Sequence, residues 1–242
     1  MKKKISIKDV AEQAGVFTAT VSRVVNNTDY PVKEETRKIV EKAVKELNFQ
    51  PNRWAQSLSK SKSNIIGVIA HDISSDYFSE LLKGIEGVLF DNDFVINVFD
   101  TARNVDKQLK ALNLLRADQA DAVIFPGGIM YDDNSIGKIE QSIDELKNQG
   151  CNIVAVTDNP FSIKNIDIGN TLASRTITEY LINKGHNKIA YLHGPELMNA
   201  AVERLNGFKK AMHNRQLKIN ERYILPGDFT FESGRKAALS II

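Results

Sequence analysis

Cysteine is almost absent from this sequence, and its scarcity excludes several kinds of protein. The 242 residues include a single cysteine, Cys151, so neither an intrachain disulfide nor a zinc site built from cysteines can form. This usage fits a reducing cytoplasm, where we expect the protein to work. Cys151 precedes an apolar run at 152–156, which favours a half-buried small residue over a nucleophile.

Long apolar runs and enzyme motifs are also lacking. No stretch approaches the ~20 apolar residues of a membrane-spanning helix, and the start MKKKISIKD leads into no apolar signal core. We therefore expect no membrane partner and no secretion. The motifs GxGxxG and GxxxxGK[ST] and a nucleophile elbow are missing, and the four histidines are scattered. An enzyme is thus a weak hypothesis, and we expect neither a metal nor a cofactor.

Charge is unevenly distributed along the chain. Residues 1–62 contain 13 Lys and Arg against 7 Asp and Glu, whereas residues 63–242 contain 19 against 23. The first part therefore has a net charge of +6 and the second a net charge of −4. A basic head on an acidic body indicates that the head meets a polyanion. A merely solvated basic surface is the alternative.

Two short helices joined by a tight turn are predicted between Ser6 and Asn26. Ser6 and Asp9 have the spacing of a capping box, apolar residues then recur on one helical stripe, and Gly15 suits the position that ends a helix. The second helix would carry valines on one face and short or hydrogen-bonding side chains on the other. This pattern is typical of a helix-turn-helix. An ordinary αα-hairpin in a small core is the alternative.

A third helix and a linker follow. Apolar residues at helical spacing predict a helix over 32–47, with Pro31 at its start and Pro51 beyond its end. The next segment, to residue 63, is basic and Ser-rich, which is the composition of a linker that becomes helical only with a partner.

From residue 65 onward, strand and helix patterns alternate. Strands are predicted at 65–70, 94–99, 121–128, 152–158, 188–194 and 223–225, with helices between them and after the last. This alternation predicts an α/β body with parallel doubly wound sheets, divided into two units by an irregular stretch at 159–170. Ligands of such folds bind beyond the carboxyl ends of strands, at 71–78, 100–103, 125–128, 158–161 and 194–204. Polar and aromatic residues there suit a sugar or nucleoside-like ligand, with unliganded loops as an equal alternative.

These segments resemble the lac repressor family (LacI/GalR type) of transcriptional regulators. The resemblance is carried by IKDVAEQAGV and TATVSRVVN in the head, AQSL in the linker, and IIGVIAHDISSDYFSELLKGIE, LINKGHNKIAYLHGP and ERLNGFKKAM in the body. It implies an all-α helix-turn-helix head at 1–50, a hinge at 51–63, a first lobe of a periplasmic-binding-protein-like body at 64–160 and a partial second lobe at 161–242. It also implies a repressor that binds a palindromic operator as a homodimer, under control of a sugar or sugar phosphate.

The resemblance also implies which side chains meet DNA. Thr18 and Ala19 would face base edges in the major groove, and Arg23 would reach a base or a phosphate. Leu58 in the hinge would be an apolar wedge in the minor groove. The remaining contacts would mainly position the backbone, and they are Ser6, Thr20, Ser22, Asn26, Asn52, Arg53, Ala55 and Gln56.

Phe17 stands where the family usually has a capping serine, and the loss would cost about 1 kcal/mol of helix stability unless Thr18 takes over as the cap.

The effector would bind in the cleft between the lobes. Family members continue beyond Ile242, so we expect a truncated chain whose cleft lacks one wall. A sugar-binding transport protein and a truncated regulator that no longer senses effector are the alternatives. The implied effector contacts are Asp72, Ser74, Ser75, Tyr77, Phe78, Asp158 and Arg204.

Overall fold

The structure is a computed structural model that describes residues 5–26, 30–50 and 62–241. The chain divides into two compact units, Met1–Ser63 and Asn64–Ile242. Five of the residues predicted to contact DNA lie outside the described residues, and they are Asn52, Arg53, Ala55, Gln56 and Leu58.

The described part of the first unit contains three helices, α1 (Ile7–Ala14), α2 (Thr18–Val25) and α3 (Glu34–Glu46). At the start of α1, the Asp9 carboxylate accepts hydrogen bonds from the backbone N–H and the hydroxyl of Ser6, at 2.8 and 2.6 Å. Gly15 follows α1 with a φ of 65°, a left-handed value that glycine adopts without strain. The chain therefore turns sharply from α1 into α2.

A small apolar core holds the three helices together. Val10, Val21 and Val40, one from each helix, are fully buried against Ala11, Val24 and Ala43. Each buried valine contributes roughly 1.5–3 kcal/mol relative to its exposed state. The helical periodicity of the sequence predicted all three helices, and the structure confirms them.

A five-stranded parallel sheet forms the first part of the second unit. Its strands lie in the order β2-β1-β3-β4-β5, and helices α4 (Asp76–Phe90), α5 (Val105–Ala117) and α6 (Ile136–Asn148) connect the first four strands in sequence. The parallel pairing confirms the predicted fold class. The strands are β1 (Ile65–Ala70), β2 (Val95–Asp100), β3 (Ala122–Phe125), β4 (Asn152–Val156) and β5 (Lys164–Ile166).

The core of this sheet explains why its central strands are nearly continuous apolar runs. Ile69, Val123 and Phe125 are buried in one cluster with Leu112 and with residues of α5 and α6. Gly67 in β1 lets α5 approach closely, because a Cβ at that position would lie 2.2 Å from a methyl carbon of the α5 leucine Leu115. Dense packing on the sheet therefore depends on this glycine.

A shorter parallel pair, β6 (Tyr191–His193) and β7 (Ile224–Pro226), forms the second sheet. Helices α7 (Asn170–Asn183), α8 (Asn199–Asn214) and α9 (Phe231–Ile241) belong to this part of the unit. Among the described residues, no helix is long and apolar enough to cross a membrane.

One stretch differs from the sequence prediction. Residues 159–170 were expected to be irregular, but β5 lies within them and pairs in parallel with β4. All three residues of β5 are exposed, so they have no alternation of apolar and polar positions that a pattern could detect. The first sheet therefore extends beyond residue 160, where the first lobe was predicted to end.

Candidate nucleic-acid interface and ligand cleft

The outward face of α2 carries side chains that were predicted to contact DNA. Thr18 and Ala19 are exposed in its first turn. Val21 and Val24 are buried on the opposite face, where they pack against α1 and α3. Burial of the valines therefore leaves the two predicted base-contacting residues at the surface.

Arg23 has a partner in the head that sequence patterns did not predict. Its guanidinium carbon lies 3.9 Å from the ring centroid of Tyr30, a cation–π contact. A stacked guanidinium still directs its N–H groups outward in its own plane, towards a base edge or a phosphate. Tyr30 lies outside α2, which ends at Val25, so helical spacing contains no signal for this pair.

Side-chain hydrogen bonds connect some of the other polar residues of the helix pair. The side-chain amide of Asn26 donates a hydrogen bond of 3.1 Å to the hydroxyl of Ser22, four residues earlier. Thr20 is half-buried, and Ser6 bonds to Asp9 as described above. These short contacts hold the edge of the exposed α2 face in place.

Phe17 begins α2 without a side-chain cap. Its backbone is extended at the N-cap, with φ −74° and ψ 150°, and no side chain there accepts a hydrogen bond from the first turn. Thr18 is the first residue inside the helix and does not replace the cap. The expected missing cap is therefore confirmed, and the ring of Phe17 is 85% exposed.

The loop after β1 carries the first group of predicted effector contacts. One oxygen of Asp72 accepts bonds from the amide and hydroxyl of Ser74, at 3.1 and 2.5 Å, and the other accepts a bond from Arg103 at 3.0 Å. The Ser74 hydroxyl is the largest cause of the lowered pKa of Asp72. Ser75 occupies the N-cap of α4. Both oxygens of Asp72 are thus already bound by the protein.

Two aromatic rings at the start of α4 have different surroundings. Tyr77 is 43% exposed, and burial raises the pKa of its hydroxyl while the nearby charge of Arg204 lowers it. Phe78 is 6% exposed and packs edge-on against His71, with ring centroids 6.0 Å apart. The ring of Phe78 is therefore buried against the residue that begins the loop after β1, and the effector contact expected of it stays a prediction.

A buried polar pair lies at the ends of two central strands. His71 follows β1, and burial is the main cause that lowers its pKa to about 4, so the ring is neutral near pH 7. His71 Nδ1 and the hydroxyl of Thr157, which follows β4, are buried and have no hydrogen-bond partner among the described residues. A Cβ on Gly128, at the intervening strand end, would lie 2.4 Å from that hydroxyl.

A chain of hydrogen bonds connects the second group of predicted effector contacts. Arg204 Nε donates to Asn170 at 2.8 Å, and the Asn170 amide donates to Glu203 at 2.7 Å. Glu203 also accepts a bond of 3.3 Å from the backbone N–H of Asp158, whose carbonyl accepts a bond of 2.6 Å from Asn199. The structure thus brings Asp158 and Arg204 together. Sequence reasoning did not name Asn170, Asn199 or Glu203 as contacts, although Asn199 and Glu203 lie within the predicted ligand-binding segment 194–204.

Arg103 contributes a second guanidinium to the cleft. It follows β2, where both Ala102 and Arg103 have left-handed φ values, 47° and 57°. Arg103 Nη2 binds Asp72, and Nη1 donates to the backbone carbonyl of Asp228, which lies beyond β7 in the second sheet. The strand-end rule placed residues 100–103 near the cleft, but no motif identified this arginine.

Neither a metal centre nor a reactive thiol is found in the part of the chain that the structure describes. No group of three or more His, Cys, Asp or Glu residues there is arranged to hold a metal ion. Cys151 is 5% exposed, and burial raises the pKa of its thiol to about 11, so little thiolate exists near neutral pH. The polar groups described above are suited to binding by hydrogen bonds.

Sequence comparisons identify related proteins along the whole chain. Residues 6–52 match the family described as bacterial regulatory proteins, lacI family, and residues 63–242 match periplasmic binding proteins and sugar binding domain of LacI family. Catabolite control protein A of Priestia megaterium is 33% identical over 242 residues, which cover 98% of this chain and 70% of that protein. The HTH-type transcriptional repressor CytR of Escherichia coli K12 is 31% identical over 238 residues, with coverages of 98% and 67%.

Solved structures show the same similarity. The lac repressor dimer bound to operator and the anti-inducer ONPF has a TM-score of 0.80 and 27% identity, and the match covers 99% of this chain and 70% of that one. A complex of the transcriptional regulator CelR with cellobiose has a TM-score of 0.60 and 26% identity, with coverages of 98% and 70%.

Proposed function

The chain belongs to the lacI family of bacterial regulatory proteins, and from this premise we propose that it represses transcription by binding a palindromic operator as a homodimer. The observation that carries the proposal is the exposed face of α2, where Thr18 and Ala19 lie at the surface and Arg23 is held by its stack on Tyr30. The net charge of +6 on residues 1–62 supports it, because a duplex is a polyanion.

Each part of the head has a proposed role at the operator. Thr18 and Ala19 contact base edges, and Arg23 supplies the strongest direct contact, since Ala19 offers only a methyl group. Ser6, Thr20, Ser22 and Asn26 position the backbone of the duplex. In the hinge at 51–63, Leu58 wedges open a minor-groove step. Asn52, Arg53, Ala55 and Gln56 contact the adjacent backbone.

Selection of bound duplexes from a random pool tests this function. We expect an enriched palindrome, because two identical heads related by a two-fold axis read two identical half-sites. The affinity for that palindrome should fall steeply as salt rises, since each neutralised phosphate releases counterions. Matched selection with the Arg23→Gln chain controls for non-specific binding. Failure to enrich any sequence, or a flat salt dependence, would refute operator binding.

We further propose that a sugar or sugar phosphate binds in the cleft as the effector. Asp158 and Arg204 are the direct contacts, flanked by Tyr77, Ser74 and Ser75. Phe78 supports the first loop from inside. The solved relative with bound cellobiose supports a sugar, and the linked polar groups around Glu203 suit hydroxyl recognition. The sequence predicted a first lobe at 64–160. We extend this lobe to include β5, and the second lobe then begins with α7.

Thermal shift measurements with a panel of neutral and phosphorylated sugars test the effector proposal. We expect one class to raise the melting temperature of the parent chain and not that of the Arg204→Gln chain. A sugar-binding protein without DNA function would bind a sugar but no duplex. A regulator that no longer senses effector would bind duplex and respond to no compound in the panel.

We also place the protein in the cytoplasm, where its operator would be found.

A further inference from the structure

Arg103 joins the two lobes at one edge of the cleft, in addition to the bonds that Asp158 makes with Asn199 and Glu203. We propose that Arg103 is a clasp that holds the two lobes together across the cleft. It is anchored on Asp72 in the first lobe and bound to the backbone carbonyl of Asp228 in the second. The inference rests on the proposed function in one respect, since it concerns the cleft in which the effector would bind. Its geometry is independent of any particular effector.

The anchor of the clasp is rigid. Asp72 is held on its other oxygen by the amide and hydroxyl of Ser74, so the carboxylate cannot rotate away from Arg103 without breaking those bonds. The side chains of Arg103 and Asp72 are only 23% and 28% exposed. Partial burial reduces the solvent screening of this ion pair.

The loop that presents the arginine is held in an uncommon conformation. Ala102 and Arg103 are consecutive residues with left-handed φ values, which side chains other than glycine rarely adopt. The Ala102 N–H donates to Asp100 at 2.9 Å, and the Arg103 N–H donates to the carbonyl of His71 at 3.0 Å. Such strain persists only where surrounding contacts fix it, and it concentrates at functional sites.

The acceptor in the second lobe is equally well fixed. The Asp228 carboxylate accepts bonds from the amide and hydroxyl of Thr230, and these bonds, with Ser233 and the charge of Arg103, lower its pKa to about 2. The next residue, Phe229, packs its ring over Gly194, where a Cβ would lie 2.0 Å from a ring carbon. The carbonyl of Asp228 is therefore held in place facing the first lobe.

The position of Arg103 in the sheet allows it to oppose opening of the cleft. In the described chain, the backbone passes from the first sheet to the second after β5, which lies at one edge of that sheet. The bonds of Asp158 to Asn199 and Glu203 lie near that crossover, because β4 is the neighbour of β5. Arg103 follows β2, the opposite edge strand. A contact at the far edge opposes rotation about this crossover more effectively than a contact near β4 and β5.

Distances between spin labels in the ligand-free full-length chain test the clasp. Labels on Lys110→Cys in α5 and Lys209→Cys in α8, with Cys151→Ser to prevent a third label, report the separation of the lobes. Both lysines are exposed. We expect a narrow short-distance population in the parent, and its loss in favour of longer distances in Arg103→Gln. Asp72→Asn should shift the distribution in the same direction by a smaller amount.

The control removes an arginine whose partner lies within one lobe. Arg116→Gln breaks the ion pair with Glu145 between α5 and α6 and should leave the label distances unchanged. If Arg103→Gln does not fold, Arg103→Lys provides the test, because a single ammonium lacks the fork that reaches both acceptors. Unchanged distances in a folded Arg103 variant, or a parent that is already broad and open, would overturn the clasp.

This experiment contains neither DNA nor sugar, so its result is separate from the proposed function. Failure of the clasp would leave operator selection and the sugar panel as they stand. A cleft that opens on loss of Arg103, in a chain that binds no sugar, would retain the clasp and reject the effector class.

Discussion

The uncapped start of α2 leads to a prediction that stability measurements can check with two variants. Phe17 has the extended backbone of an N-cap residue but no side-chain acceptor, and Thr18 does not compensate. In Phe17→Ser, the hydroxyl can accept a hydrogen bond from a first-turn N–H, as serine does at helix starts. A serine cap stabilises a helix by about 1 kcal/mol, within a range of roughly 0.5–2 kcal/mol.

The loss of the ring subtracts little from that gain. Phe17 is 85% exposed, so about a sixth of the roughly 1.5–3 kcal/mol for burying a phenylalanine is at risk, or at most about 0.5 kcal/mol. We therefore expect a net gain of about 0.5–1 kcal/mol in the free energy of unfolding of the head. In a domain of this size, 1 kcal/mol corresponds to a rise of roughly 4–8 °C in melting temperature.

Amide hydrogen exchange of α1–α3 in the full-length chain measures this quantity for the head alone. Phe17→Ala is the matched control, because it removes the same ring and supplies no cap. The serine variant should exceed the alanine variant by about 1 kcal/mol, which isolates the cap from the ring. Equal protection in the two variants would refute the argument, since the hydroxyl would then contribute nothing at this position.

Three further predictions concern packing, protonation and DNA contact. Gly67→Ala should lower the free energy of unfolding of the body by roughly 1–3 kcal/mol, because its Cβ would lie 2.2 Å from a leucine methyl. In the control Gly84→Ala, in α4, the new Cβ meets no atom within 4 Å and should stabilise the body slightly. Denaturant titration compares the two variants, and equal effects would contradict the packing argument. His71 has a pKa lowered from 6.5 to about 4, so the unfolded chain binds the proton more tightly. Stability should therefore be fully present above pH 6.5 and fall by about 3 kcal/mol between pH 6.5 and 4, and a His71→Gln chain should show a shallower dependence over that window. Tyr30→Ala should weaken operator binding several-fold by releasing Arg23 from its stack, and Tyr30→Phe should retain the affinity; a gel-shift titration in which the two variants bind equally would reject a role for the stack.

Several features of this protein follow from local sequence alone. The helices of the head were predictable because their buried valines recur at helical spacing and Gly15 occupies the position that needs a left-handed backbone. Strands β1 to β4 of the first sheet were predictable because each is a short, mainly apolar run, and in β1 five of the six residues are buried. The same short segments carry the resemblance to the lac repressor family, which the comparisons confirm.

Tertiary structure decided which polar groups meet. Arg103 and Asp228 are 125 positions apart, and no spacing rule connects them. Tyr30, on which Arg23 stacks, lies outside α2, and every residue of β5 is exposed, so the sequence shows no periodic pattern for either feature. The resemblance to the family implied that Phe78 contacts the effector, and only the structure shows that its ring packs edge-on against His71.

The physical reason for this division is the separation along the chain of the residues that interact. Periodicity reflects burial, which recurs on every turn of a helix and every second residue of a strand, so the sequence by itself determined most of the elements, their parallel order and the helix that is predicted to read DNA. A hydrogen bond between strand-end loops depends on where two distant segments arrive after folding. Only the tertiary structure could therefore decide that Asp72 holds an arginine, and that this arginine reaches the second lobe.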